Sequence, residues 1–263
     1  MIVLESRFVE FGPGRNVHAQ IGGSGPTVVF FPGNGGSVVD FLPVMQQLAE
    51  DYRVVGLDLP GRSETDWPDV RFDFSADLQP VIDWTLSQLG VGSHIAVGHG
   101  SGARVALHHA QRHFGKIQGV SMVEGYVNQE AQQQTAGKRY RRPIRMSEDM
   151  VEAFEQRRKD HATWLNNHST FRESFNATQR AYDASQWIGE LEVPIQVIIG
   201  DQGQTLPDIS DNPGWQKQLN LTKIQTLEVS LIPDAGYWVM LDDPQRVSES
   251  LRNFIKLVRQ TQS

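Results

Sequence analysis

The strongest constraint on the fold is an alternation of short apolar segments with longer amphipathic ones. Segments rich in Val, Ile, Leu and Phe lie at 27–31, 53–58, 94–98, 119–124, 194–200 and 226–232. Between and after them, 74–89, 101–114 and 244–259 place apolar residues three or four positions apart, which predicts helices. Two further strands, SRFVEF and NVHAQI, flank the turn GPGR near the start. The pattern predicts an α/β fold with a mostly parallel, doubly wound sheet.

One long stretch interrupts this alternation. Residues 126–188 contain no strand-like segment and are rich in Gln, Arg and Glu. We interpret them as a helical cap inserted into a core formed by 1–125 and 189–263. The basic segment KRYRRPIR (138–145) within the cap is expected to be a solvated face, with contact to a ligand or partner as the alternative.

Composition narrows the classes of function. The 263 residues carry a net charge of −7, which argues against a nucleic-acid-binding surface. Without cysteine the chain has no disulfide, thiolate metal site or cysteine nucleophile. No apolar stretch approaches the roughly 18 residues of a membrane span, and the N-terminus does not resemble a signal peptide. We therefore expect a cytoplasmic protein that needs no cofactor and contacts neither nucleic acid nor membrane; the composition leaves its oligomeric state open.

Five motifs in order carry a resemblance to a known family. They are FFPGNGG (30–36), GLDLPGRS (56–63), VGHGSGA (97–103), VIIGDQG (197–203) and IPDAGYWVMLDDP (232–244). With these motifs over nearly its whole length, the chain resembles the α/β-hydrolase superfamily. The resemblance implies the α/β-hydrolase fold, with a serine nucleophile, a histidine base and an orienting acid.

At all three of these positions the sequence departs from the family. The nucleophile position of the G-x-S-x-G turn is Gly100, between Gly98 and Gly102. Tyr237 stands where the family has its histidine, and Gly203 stands at the usual acid position, with Asp201 nearby. The resemblance therefore implies a chain without a catalytic triad.

Ser101 is the candidate for a displaced nucleophile. Small residues must lie two positions before and two positions after the nucleophile so that strand and helix can approach. Centring the turn on Gly100 places Gly98 and Gly102 there, whereas centring it on Ser101 places His99 and Ala103 there. The first register is favoured, and glycine also adopts the strained dihedrals of this turn freely.

Parts of the family's oxyanion site are expected to survive. The resemblance assigns one donor to the backbone N–H of Ser101 and the other to Gly33 or Asn34, which follow Pro32. Beside them, Tyr237 and Trp238 are expected either to form an aromatic wall facing a ligand or, in the case of Tyr237, to fill space left by the triad.

Five further polar residues are interpreted first as structural groups. His99 and Glu124 are expected to be structural, and with Tyr237 they are the candidate catalytic residues if the pocket retains acid–base chemistry. Asp58 is interpreted as a structural turn residue. His109 and His113 have the i, i+4 spacing of metal ligands, but without an evident third ligand the prediction is a solvated helix face and no metal site.

Several functions remain open from the sequence. The leading hypothesis is a non-hydrolytic α/β-hydrolase-fold protein, a pseudoenzyme, that binds a carbonyl-containing small molecule under the cap. The expected contacts are Gly33, Asn34, Gly100, Ser101, Tyr237 and Trp238. The alternatives are an enzyme with triad-independent chemistry of the cyclase, lyase or isomerase type, a hydrolase using Ser101, and a scaffold that only pairs with another protein.

Overall fold

Eight strands form one sheet at the centre of the molecule. A computed structural model describes residues 2–61, 65–113, 115–131, 143–201 and 224–261. The strands are β1 (Glu5–Gly12), β2 (Arg15–Gly22), β3 (Thr27–Phe31), β4 (Arg53–Leu57), β5 (His94–His99), β6 (Ile117–Val123), β7 (Ile195–Gly200) and β8 (Leu227–Ile232). Their order across the sheet is β1-β2-β4-β3-β5-β6-β7-β8. β1 and β2 pair antiparallel and β2 pairs antiparallel with β4, whereas every other neighbouring pair is parallel. The predicted fold class is confirmed.

Helices cover both faces of this sheet and connect its parallel strands. They are α1 (Leu42–Leu48), α2 (Leu78–Gln88), α3 (Ser101–Arg112), α4 (Glu148–Asn167), α5 (Ser169–Ala181), α6 (Val239–Asp242) and α7 (Pro244–Thr261), and short 3₁₀ turns lie at Val38–Phe41 and Ile188–Glu190. One apolar core contains residues of α2 and α3, and a second contains residues of α1 and α7. Two cores on opposite faces are what a doubly wound sheet requires.

Several element boundaries differ from the sequence-based prediction by one to four residues. Helix α2 begins at Leu78 rather than at 74 because Asp73 Oδ1 accepts hydrogen bonds from the N–H groups of Ser75 and Ala76, at 2.8 and 2.9 Å. Such a local turn competes with helical bonding. Helix α3 ends at Arg112, and α7 continues to Thr261.

The proposed cap region contains α4 and α5, and its described residues, 126–131 and 143–188, include no strand. Both helices cover the carboxyl ends of the strands. Phe154 of α4 packs against Trp238, with ring centroids 4.8 Å apart, and the N–H of Phe72 donates to Ser174 Oγ of α5 at 2.9 Å. In the described ranges, no helix is both long enough and apolar enough to cross a membrane.

Candidate functional site

The turn between β5 and α3 has the backbone geometry of a sharp strand-to-helix elbow. Gly100 stands at its apex with φ 53° and ψ −116°, and Ser101 is the first residue of α3. A Cβ atom at Gly98 would lie 2.2 Å from the carbonyl oxygen of Gly102, and one at Gly102 would lie 2.1 Å from that of Phe31. These contacts with backbone leave room only for glycine. The geometry therefore agrees with the register centred on Gly100.

Tyr237 occupies the space into which a nucleophile at the elbow would project. A Cβ atom built on Gly100 would lie 2.1 Å from the Tyr237 hydroxyl oxygen and 3.2 Å from Cζ. The phenol lies against the His99 ring, with centroids 4.7 Å apart. Burial, followed by the nearby Tyr126 and Glu124, raises the pKa of Tyr237 above its ordinary value. The phenol is therefore neutral at physiological pH and can donate a proton only within a hydrogen bond.

The Ser101 hydroxyl is engaged by the loop that was expected to supply an oxyanion donor. Ser101 Oγ accepts a hydrogen bond from the backbone N–H of Asn34 at 2.7 Å. The side chain of Asn34 in turn donates to Gln179 Oε1 of α5 at 2.6 Å, and Arg104 donates to the Gln179 carbonyl at 3.1 Å. One of the two expected donors is thus already used within the protein. A carbonyl oxygen could reach it only by displacing the Ser101 hydroxyl.

His99 is fully buried behind the elbow. Its Nε2–H donates to the carbonyl oxygen of Tyr237 at 2.9 Å, and its ring lies 4.7 Å from that of Trp238. Within the described ranges His99 Nδ1 has no hydrogen-bond partner. Burial lowers the pKa of His99 to about 4, so the imidazole is neutral at pH 7. The hydrogen bond from Nε2 holds the Tyr237 backbone and is not directed at Ser101, which supports the structural interpretation.

The carboxylates near the sheet edge are bonded to backbone. Glu124 adopts φ 48° directly after β6, and its Oε1 accepts from the Gly200 N–H at 2.6 Å. Asp201 Oδ1 accepts from the N–H of Asp234 at 2.6 Å. Position 203, the acid position implied by the resemblance, lies outside the described residues. Both carboxylates therefore help to hold the ends of the neighbouring strands.

Two cavities lie between the cap helices and the loops that follow β3 and β4. The first, of about 340 Å³, is lined by Gly35, Gly36, Phe154, Arg157 and Trp164 among others. Arg157 pairs with the buried Asp40 of the same lining, with 2.9 Å between Nη2 and Oδ1. Burial raises the pKa of Asp40, while Arg157 acts in the opposite direction.

The second cavity, of about 310 Å³, adjoins the first through shared lining residues, including Arg158 and His161. Asn34, Gly61 and Phe171 also line it. The Arg158 guanidinium lies 5.9 Å from the Trp238 ring centroid and 5.6 Å from that of Phe154. Of the six ligand contacts expected from the sequence, only Asn34 lines either cavity.

Sequence reasoning missed Ser6 and His18, which form a hydrogen-bonded series with Asp58 near the β1 edge of the sheet. Ser6 Oγ lies 2.7 Å from His18 Nε2, and His18 Nδ1 lies 2.7 Å from Asp58 Oδ2, the atom order of a catalytic triad. Asp58 Oδ1 also accepts from the Val38 N–H at 2.8 Å. Ser6 is exposed on β1 and lines neither cavity. We assign the series to packing of β1, β2 and β4, in agreement with the structural interpretation of Asp58.

The expectation of a solvated helix face at His109 and His113 is wrong. His109 is buried, and Asp83 of α2 supplies the third potential metal ligand that the sequence did not reveal. No motif could have shown it, because Asp83 lies 26 positions before His109 and is brought near only by packing of α2 beside α3. Of the basic segment 138–145, the described part includes Arg145, which pairs with Asp234 and Asp243 at 3.3 Å each.

Comparisons with solved structures give the same fold. A thermophilic esterase from Thermogutta terrifontis, solved with malate bound, superposes with a TM-score of 0.73 at 17% identity, over 97% of this chain and 99% of that one. A haloalkane dehalogenase loop variant from Bradyrhizobium elkanii gives a TM-score of 0.74 at 17% identity, over 100% and 99% of the two chains. At these identities the similarity establishes the fold.

A curated relative and a family description match at the level of sequence. The chain is 33% identical over 89 residues to the dihydrolipoyllysine-residue acetyltransferase component of an acetoin cleaving system from Cupriavidus necator, a match of 34% of this chain and 24% of that protein. This chain therefore spans about a quarter of the relative's length. The family described as alpha/beta hydrolase fold matches residues 26–168, more than half of the chain. Together with the eight-stranded sheet and the elbow at Gly100, this match shows that the chain belongs to the alpha/beta hydrolase fold family.

Proposed function

We propose that this chain is a non-hydrolytic member of its family that binds a small molecule beneath the cap. One observation carries the proposal: the Tyr237 hydroxyl fills the position above Gly100 where a nucleophile side chain would stand. Ser101 adds to it, because its hydroxyl accepts from the Asn34 N–H. Acyl transfer needs a free nucleophile, a base and an open oxyanion site, and this elbow offers none of them in the required place.

The cavities support ligand binding in a place displaced from the elbow. Their volumes, about 340 and 310 Å³, are at the lower end of those of small-molecule sites. Aromatic rings of Phe154, Trp164 and Phe171 offer apolar surface, and Arg158 and His161 contribute polar hydrogen-bonding groups. We expect a compact carbonyl-containing ligand, with a carboxylate or other polar carbonyl group near Asn34 and Arg158.

An enzyme with triad-independent chemistry is the second candidate. It would use Tyr237 as an acid or orienting group, with His99 and Glu124 behind it. The pKa shifts of Tyr237 and His99 keep both groups neutral at pH 7, and His99 Nε2 is already bonded to the Tyr237 carbonyl. Such chemistry would therefore depend on Tyr237 as a hydrogen-bond donor, and Tyr237→Phe would abolish turnover while leaving ligand binding largely intact.

The hydrolytic part of the proposal is tested with a fluorophosphonate probe and peptide mapping. We expect no labelling above that of the Ser101→Ala variant. Mapping also covers Ser6, because the Ser6–His18–Asp58 series has the atom order of a triad. A label on Ser101 would overturn the proposal, and a label on Ser6 would move the chemistry to the edge of the sheet.

The binding part is tested by screening small carboxylic acids, esters and lactones by native mass spectrometry, with titration calorimetry on each ligand found. Trp164→Ala removes a ring that lines the first cavity and should weaken binding by about tenfold or more, because the ring would no longer shield apolar ligand surface from water. Trp84→Ala is the matched control, since Trp84 lies on α2 and is 45% exposed. Equal affinities in the two variants would place the ligand elsewhere.

A further inference from the structure

The end of α3 far from the elbow carries a cluster of side chains that the proposed function does not use. His109 lies eight positions along the helix from Ser101, about 12 Å at the rise of an α-helix. His113 follows the last turn of α3, and Asp83 faces both histidines from α2. One potential ligand atom from each of the three lies within 4.8 Å of the other two.

Of the two distances from Asp83 to the histidines, one is shorter and one is longer than the distance between neighbouring ligands of a bound metal ion. Zinc bonds to imidazole nitrogen and carboxylate oxygen are about 2.0–2.2 Å long, which places neighbouring ligands of a tetrahedral site about 3.3 Å apart. Asp83 Oδ1 lies 2.7 Å from His113 Nε2 and 3.9 Å from His109 Nδ1. Side-chain adjustments of about 0.6 Å would bring both separations to the tetrahedral value.

The hydrogen bonds behind His109 fix which of its ring nitrogens carries the proton. His94 Nδ1 lies 2.9 Å from the carbonyl oxygen of Gly92 and donates to it, so His94 Nε2 presents a lone pair. His109 Nε2, 3.1 Å away, donates its proton to that lone pair. The lone pair of His109 Nδ1 is therefore directed at Asp83 and His113. A metal ligand needs this orientation, and metal-binding histidines commonly obtain it through a partner on the other nitrogen.

Gln79 marks the point on which these atoms converge. Its Nε2 donates to Asp83 Oδ1 and to His109 Nδ1, at 2.7 Å each, and lies 3.1 Å from His113 Nε2, which itself donates to Asp83 Oδ1 at 2.7 Å. Gln79 is 4% exposed, and in the described part of the chain its Oε1 has no hydrogen-bond partner. An amide nitrogen thus lies where a cation would, so binding of an ion requires the Gln79 side chain to turn aside and the His113 proton to move from Nε2 to Nδ1.

We propose that Asp83, His109 and His113 bind a divalent transition-metal ion such as Zn²⁺. Two imidazole nitrogens and one carboxylate oxygen form a donor set that suits Zn²⁺ and its neighbours in the first transition series. A cleft of about 530 Å³ beside the cluster is lined by Asp83, His113, Ser75 and Arg112 among others. The remaining coordination position opens to this cleft, where water or a small anion completes the shell. The ion joins α2 to α3.

The test uses tag-free protein, dialysed against a chelator and then titrated with Zn²⁺ in competition with a chromophoric chelator. We expect one equivalent bound with a Kd below about 1 µM. His113→Ala and Asp83→Ala should each weaken binding by about tenfold or more, because losing a ligand costs no less than losing one of its supporting hydrogen bonds. His168→Ala, which removes another half-buried histidine, is the matched control and should bind as the unchanged protein does.

Two further measurements distinguish the loss of the metal site from the loss of the native fold. In the presence of chelator, the circular dichroism spectra of His113→Ala and His168→Ala should match that of the unchanged protein, which shows that both variants fold. Added Zn²⁺ should raise the melting temperature of the unchanged protein and of His168→Ala only, because the ion binds the native state. Binding weaker than about 10 µM in the unchanged protein, or equal Zn²⁺ affinities in the two histidine variants, would overturn the proposal.

Discussion

The two ends of helix α3 use their polar groups in opposite ways. At the elbow, the Ser101 hydroxyl accepts from the Asn34 N–H, and His99 donates to the Tyr237 carbonyl. At the far end, ring nitrogens and a carboxylate oxygen converge on the Gln79 amide nitrogen, and Gln79 Oε1 is left without a partner in the described ranges. The first arrangement is closed by packing, while the second leaves a buried amide oxygen unpaired beside two imidazole rings and a carboxylate.

The fold alone does not fix where chemistry takes place. The elbow is where the alpha/beta hydrolase fold is expected to act, yet here Tyr237 fills the space above Gly100. The opposite end of the same helix has no role implied by the family resemblance, yet it gathers a metal-compatible set of residues. Function has to be argued from the site, residue by residue.

The prediction with the strongest effect concerns how closely β3 and α3 approach each other at the elbow. A methyl group at Gly102 would lie 2.1 Å from the Phe31 carbonyl oxygen, which belongs to backbone and cannot turn aside. Gly102→Ala should therefore lower the free energy of unfolding by about 3 kcal/mol or more, measured by urea denaturation. Gly92→Ala is the control, because no atom lies within 4 Å of its Cβ position, and it should change stability by less than about 0.5 kcal/mol. Equal stability of the two variants would show that the elbow is not tightly packed.

The second prediction concerns the pH dependence of stability, which shows whether the elbow excludes water. His99 has its pKa lowered by burial from 6.5 to about 4, so below pH 6.5 the unfolded chain takes up a proton that the folded protein does not. Stability is then lost as the pH falls, and His99 alone should account for about 3 kcal/mol between pH 7 and pH 4. His99→Gln keeps a donor for the Tyr237 carbonyl and cannot titrate.

The measurement is the free energy of unfolding of both proteins across that pH range. We expect the unchanged protein to lose about 3 kcal/mol more than His99→Gln, since other buried histidines contribute equally to the two curves. Parallel curves would mean that His99 is hydrated and titrates normally, and the elbow would then be open.

The prediction with the weakest effect concerns Tyr237, whose hydroxyl fills the space that a nucleophile side chain would occupy. Gly100→Ala should cost about 2 kcal/mol, partly from φ 53° and partly from contact with the Tyr237 hydroxyl. Tyr237→Phe removes that hydroxyl, leaving Cζ at 3.2 Å, and should recover about 1 kcal/mol in a double-mutant cycle.

Gly90→Ala supplies the control for this cycle. Gly90 has φ 63° with no atom within 4 Å of its Cβ position, so alanine there carries the backbone strain without the contact. Its cost, measured by urea denaturation, should not depend on Tyr237→Phe. A coupling near zero at Gly100 as well would show that Tyr237 moves freely away from the elbow.

Most of the fold was predictable from sequence because the strand and helix periods are local. Val247, Leu251, Phe254 and Val258 repeat at helical spacing, and all four are buried in α7. The start of α2 was misplaced because the Asp73 side chain forms its own turn, which apolar spacing does not report. The boundary of the cap at 126–188 stays a prediction.

For the candidate site, only the backbone geometry of the elbow was predictable from the sequence. Spacing of Gly98, Gly100 and Gly102 located the elbow, and its geometry agrees. The expected contacts at Tyr237 and Ser101 are found to bond or pack within the protein instead, and the cavities lie toward α4. The reason is that Ser101 and Asn34 are 67 positions apart, so their hydrogen bond depends on how two loops meet.

Local sequence patterns are enough to establish the alternating elements, the register of the glycine turn and the i, i+4 spacing of His109 and His113. Packing of distant segments places Tyr237 in the space above Gly100 and Asp83 opposite the two histidines. The two kinds of information differ because the interactions behind them differ in range. Periodicity and turn chemistry act over a few residues, whereas a filled pocket or a set of ligands depends on the packing of elements distant in the chain.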